Sequence, residues 1–101
     1  MAVTCTGEDR ALTLHLSGEV DHHGAREMMA ELERCVDAAL PRALTLDLGG
    51  VSFMDSSGIA VLLRAWKGMI HIRGAIKIVN TPDQAARVFR AAGLQRMLRF
   101  Q

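Results

Sequence analysis

Ala43-Leu44-Thr45-Leu46-Asp47-Leu48-Gly49-Gly50-Val51-Ser52-Phe53-Met54-Asp55-Ser56-Ser57-Gly58-Ile59 changes its hydrophobic period part-way along. Residues 43–48 alternate apolar and polar, as a strand with one buried face requires. Gly49-Gly50 breaks the alternation, and residues 51–54 read as a connection into the next element. A helix is expected from Ser56 or Ser57 to about residue 72. Its apolar residues Ile59, Val61, Leu62, Leu63, Trp66, Met69 and Ile70 cover more than one stripe. Such a helix is either deeply buried or presents an apolar face to a partner.

The same switching of period runs outward in both directions. Upstream, residues 2–6 suit a short strand, Gly7-Glu8-Asp9-Arg10 a hairpin turn, and residues 11–16 a strand with Leu12, Leu14 and Leu16 on its buried face and His15 at the surface. From residue 21 to about 40, Ala25, Met28, Met29, Leu32, Cys35, Val36 and Ala39 make one helical stripe. Asp21 is its expected N-cap and Pro41 its stop. Downstream, residues 75–79 form a short apolar strand. Thr81-Pro82-Asp83-Gln84 then offers an N-cap, a proline at the first helical position and a capping-box glutamine. That helix should run to Gly93, with a last strand near residues 97–100. The order ββαβαβαβ predicts an α/β fold with a mixed, mostly parallel sheet flanked by helices.

A chain of 101 residues, half of them hydrophobic, suits a single domain with its own core. The longest strongly apolar run, 59–63, is far short of the ~20 residues of a spanning helix, and the N-terminus is too short and polar for a signal peptide. Cys5 and Cys35, without a CxxC pair, read as buried thiols of a reducing compartment. The net charge of +1 conceals a split: ten of the eleven acids lie before Ser56 and eight of the twelve bases after it. The bases are dispersed, and one Trp, three Phe and no Tyr give little for nucleotides to stack on. A protein partner fits this surface better than a nucleic acid.

Asp55-Ser56-Ser57-Gly58 is where chemistry is expected. A hydroxyl at a helix N-terminus lies beside unpaired N–H groups and the positive end of the dipole. One of these residues can cap the helix while another accepts a phosphate, which that environment favours. His22 and His23 are adjacent, so they point about 100° apart on a helix and do not form an i,i+4 ligand pair; no metal site is expected. Asp21, a histidine and Ser56 supply the residue types of a hydrolytic triad, without a G-x-S-x-G elbow.

Gly18-Glu19-Val20-Asp21-His22-His23 and Val51-Ser52-Phe53-Met54-Asp55-Ser56-Ser57-Gly58 together resemble the anti-sigma factor antagonists of the STAS domain family. The resemblance extends to Gly93-Leu94 and Leu98-Arg99-Phe100 and covers nearly the whole chain. It implies a STAS-like fold and a cytoplasmic signalling domain that is not an enzyme and carries no cofactor. It implies that the unphosphorylated form binds an anti-sigma factor that is also a serine kinase, and so frees a sigma factor. Phosphorylation at Ser56 would end that binding, and a serine phosphatase would reset it. Asp21, Asp55, Ser57 and Gly58 would belong to the partner-binding surface, with no direct contact to nucleic acid and no membrane insertion. Family members usually continue into another helix after the last strand, so residues 1–101 are expected to leave apolar surface uncovered and to self-associate. The alternative is a STAS regulatory subunit of a membrane lipid or anion transporter, in which no phosphorylation occurs.

Overall fold

A computed structural model describes residues 2–8 and 10–101. Five strands, β1 (Ala2–Glu8), β2 (Ala11–Val20), β3 (Ala43–Met54), β4 (Ala75–Val79) and β5 (Arg99–Phe100), form one sheet in the order β1-β2-β3-β4-β5. β1 runs antiparallel to β2, and every other pair is parallel. The helices are α1 (Ala25–Ala39), α2 (Ser57–His71) and α3 (Asp83–Ala91), so the element order matches that read from the sequence. Each parallel step moves to the next strand in the same direction, and right-handed crossovers then put all three helices on one face. Burial agrees: Leu14, Leu16, Leu44, Leu46, Leu48 and Ile78 are buried, while Thr13, His15, Ser17, Thr45, Asp47 and Lys77 on the opposite face remain partly exposed. The helices cover the apolar face with Met28, Leu32 and Val36 of α1, Val61, Leu62, Ala65 and Met69 of α2, and Ala85 and Phe89 of α3. Among the described residues no helix is long and apolar enough to cross a membrane.

Several local readings are corrected. Gly49-Gly50 does not end the strand: β3 continues to Met54, and its register against β2 slips between His15 and Ser17 and again between Gly18 and Glu19. A Cβ at Gly50 would lie 2.9 Å from the Ser17 Cβ and 3.2 Å from the Leu16 carbonyl oxygen. Glycine there lets the two strands stay close through the irregularity. Cys5 and Cys35 are not unpaired thiols but are joined as a disulfide between β1 and α1. Cys5 stands opposite Leu14 in the hairpin register and therefore shares the face on which α1 lies. That proximity depends on strand pairing and crossover and leaves no mark in the Cys spacing.

Thr81 is not the cap of α3; Pro82 holds that position with extended backbone, and the Thr81 Oγ1 is buried without a hydrogen-bond partner among the described residues. Gly93, at φ 76°, follows the end of α3 as expected. A 3-10 turn, Leu94–Arg96, then follows, and β5 is Arg99–Phe100, shorter than the strand expected near residues 97–100. Phe100 packs on Phe89 with ring centroids 5.6 Å apart.

Candidate functional site

Val20 and Met54 are register partners at the carboxyl ends of β2 and β3, so the residues after them, Asp21 and Asp55, emerge side by side. The Asp55 N–H donates to the Val20 carbonyl at 3.2 Å and fixes the two exits together. Asp21 Oδ1 accepts from the N–H groups of His23 (3.0 Å) and Gly24 (2.9 Å), and its carbonyl accepts from Ala25 (2.9 Å). It thus closes the turn that leads into α1; the N-cap itself is Gly24, three residues later than expected.

Asp55 does the corresponding work for α2. Its Oδ1 accepts from the Ser57 N–H at 2.7 Å, and its carbonyl accepts from Gly58 at 3.0 Å. The Ile59 N–H donates to the Ser56 carbonyl at 3.1 Å. The first amides of α2 are therefore already satisfied, in contrast to the open donor set that a helix start offers in general. The Ser57 backbone N–H is the main cause holding the Asp55 carboxyl below its ordinary value; burial opposes it, and the Ser57 hydroxyl and nearby His22 assist. A side chain at Gly58 would overlap Met54, so only glycine lets the helix start press on the end of β3. Ser56 occupies the N-cap of α2, is exposed, and its hydroxyl makes no cap bond. The arrangement offers one free hydroxyl on a rigid turn at the carboxyl end of a parallel sheet.

Known sequences and structures bear on this turn. The STAS domain profile matches residues 2–101. The chain belongs to the STAS domain family. An anti-sigma F factor antagonist of Lysinibacillus sphaericus is 28% identical over 83 residues, 82% of this chain and 71% of that protein. The anti-sigma factor antagonist SpoIIAA in its unphosphorylated form superimposes with a TM-score of 0.81 at 23% identity, covering 99% of this chain and 88% of SpoIIAA. Bacillus SpoIIAA in its phosphorylated form gives 0.73 at 23% identity, covering 99% and 91%. An anti-sigma factor antagonist from Mycobacterium paratuberculosis gives 0.86 at 23% identity, covering 98% and 83%.

Three residues of this STAS domain's site escaped the sequence reading. Gln84, taken as a capping-box residue, instead reaches from α3 to the end of β3: its Oε1 accepts from the Met54 N–H at 2.8 Å and its Nε2 donates to the Met54 carbonyl at 2.6 Å. Phe53, one residue before Met54, is 45% exposed beside the turn. His22 lies next to Asp55 and packs edge-on against His23 at 5.5 Å. Among the described residues neither histidine is hydrogen-bonded to Ser56, so the triad residue types do not assemble into a relay. No His/Cys/Asp/Glu group among them is disposed to hold a metal ion.

Gln84→Ala leaves both backbone groups of Met54 unpaired in a partly buried place. It is expected to cost about 1–3 kcal/mol in urea unfolding and to speed amide exchange at residues 54–57. Unchanged exchange there would show that Gln84 does not hold the turn.

Acid should act on two carboxylates. Asp47 accepts from the Gly49 N–H (2.9 Å), the Asn80 amide (3.1 Å) and His15 Nδ1 (2.9 Å), with Gly49 the main cause of its lowered pKa. Both Asp47 and Asp55 lie below the ordinary 3.8. Their stabilisation is therefore present above that value and lost as pH falls through the lower folded values. Stability should fall in this window, and Asp47→Asn with Asp55→Asn should flatten the fall. An acid profile identical for the double variant and the parent would contradict the assignment.

Proposed function

We propose that this STAS domain is an anti-sigma factor antagonist. Its unphosphorylated form binds an anti-sigma factor that is also a serine kinase, releases a sigma factor, and is switched off by phosphate on Ser56. A serine phosphatase restores it. The domain is a regulatory protein and a substrate of these enzymes, not an enzyme itself.

The observation that carries this reading is the exposed, uncapped hydroxyl of Ser56 on a turn where the amides of Ser57, Gly58 and Ile59 already have acceptors. A hydroxyl committed to capping would have to leave the helix to meet a kinase; Ser56 does not, because Asp55 caps in its place. Asp21 and Asp55 fix the shape of the two loops, Ser57 and Gly58 form the first turn of α2, and Phe53 adds an apolar contact at the rim. The partner docks across this surface, and the relatives named as anti-sigma factor antagonists supply its class.

The test is kinase-dependent phosphate transfer. The anti-sigma factor encoded beside or captured by the wild-type domain is incubated with it and ATP, and the site is mapped by mass spectrometry. Label on Ser56 is expected. Label on Ser57 with none on Ser56 would refute the site, and hydrolytic turnover lost in Ser56→Ala would replace the reading with an enzyme.

A further inference from the structure

Strand register exposes a pattern at the end of the sheet opposite Ser56. Arg10-Ala11-Leu12-Thr13-Leu14 and Arg42-Ala43-Leu44-Thr45-Leu46 repeat one order of residues. They lie side by side, with Ala11 opposite Ala43 and Thr13 opposite Thr45. β4 continues the rows, Ala75 opposite Ala43 and Lys77 opposite Thr45, and β5 sets Arg99 opposite Lys77. The uncovered face of the sheet therefore carries a row Thr13-Thr45-Lys77-Arg99 beside a row of alanines.

Lys77 and Arg99 are like charges placed directly opposite each other on adjacent strands, which by itself destabilises a sheet. Neither is in an ion pair among the described residues. With Ala43, Thr45 and Ala75 they line a recess of about 200 Å³. The small alanines open the recess, the ammonium and guanidinium supply charge from one side, and the Thr45 hydroxyl supplies a further donor. Arg42 and Arg73 stand exposed at the same end of β3 and β4. A guanidinium fork next to an ammonium matches the oxygens of a phosphate group. We propose that Thr45, Lys77 and Arg99 form a binding site for a phosphate group, whose charge resolves the repulsion between the two cations.

The experiment titrates inorganic phosphate into the full chain at constant ionic strength, with chloride as the balancing ion, and follows backbone amide shifts. Saturable shifts centred on Thr45, Lys77 and Arg99 are expected, and Lys77→Gln/Arg99→Gln should weaken binding at least tenfold. Arg99→Gln alone, at an exposed position, should weaken it severalfold if the double variant does not fold. Ser56→Ala should bind phosphate as the wild type does, so this site and the antagonist reading fail separately. A second arm measures co-sedimentation with phosphatidylcholine vesicles containing phosphatidylglycerol. Co-sedimentation competed by inorganic phosphate assigns the group to a lipid headgroup; saturable phosphate binding without co-sedimentation assigns it to a soluble ligand. Shifts that chloride reproduces, or that persist unchanged in both variants, overturn the site, as does the absence of binding in both arms.

Discussion

Phosphate on Ser56 is expected to lower affinity for the anti-sigma factor about a hundred- to a thousandfold, a loss of about 3–4 kcal/mol, while the domain's own fold barely changes. The modification adds about −1.5 to −2 charge and three acceptor oxygens at neutral pH. The α2 dipole offsets roughly 0.3–1 kcal/mol of this at an exposed position. The local geometry limits further compensation, because the amides of Ser57, Gly58 and Ile59 already have acceptors. The dianion also stands beside the Asp55 carboxylate. It therefore projects outward, and a partner surface shaped for a neutral hydroxyl must bury or repel it. Ser56→Ala should bind constitutively and Ser56→Asp poorly, both with native circular dichroism. Ser57→Ala should still accept phosphate on Ser56. Calorimetric titration of the two phosphoforms against the partner decides the matter; equal affinities would end the switch.

Removing the link between Cys5 and Cys35 should be the most damaging change away from the site. Closing a loop across a sequence separation of 30 restricts the unfolded chain by an amount that chain-entropy reasoning puts at about 3–4 kcal/mol. Small domains have little stability in reserve. The double variant Cys5→Ser/Cys35→Ser should unfold at a clearly lower urea concentration, and reductant should bring the wild type to the same midpoint. The link ties the outermost strand to α1, so β1 amides should lose protection first. Two titratable thiols in wild-type protein unfolded without reductant would show that the pair is not joined.

Elements governed by local chemistry were legible in the sequence. Alternation in residues 11–16 and 43–48 and the broad apolar face of α2 are properties of neighbouring residues, and each appears where its period placed it. Gly93 ended α3 because a positive φ is a local demand. The readings that failed depend on residues distant in sequence. Gln84 had the spacing of a capping box, but Met54, 30 positions earlier, offered an unpaired N–H and C=O that made a better pair of partners. Gly49-Gly50 looked like an ending because the close approach of Ser17 could not be seen. At the site, the D-S-S-G turn and Asp21 were readable; that Asp55 rather than a serine takes the Ser57 amide was not, since either serves as a cap on sequence grounds alone. Phe53 fell in a segment taken for a connection and so carried no expectation of exposure.

The irregularity opposite Gly50 has a consequence for how the site is aimed. Buried positions in β3 run Leu44, Leu46, Leu48 and then Val51 and Met54, so the strand changes phase: even spacing gives way to steps of three. The two steps together span six residues, so Met54 returns to the face of Leu44, Leu46 and Leu48, and Val51 joins it out of turn. The two register slips thus cancel in phase, and the turn that carries Ser56 leaves the sheet facing the way the first half of β3 dictates. Deleting a single glycine would leave one slip without its counterpart, preserve every residue of the D-S-S-G turn and still point its hydroxyl elsewhere.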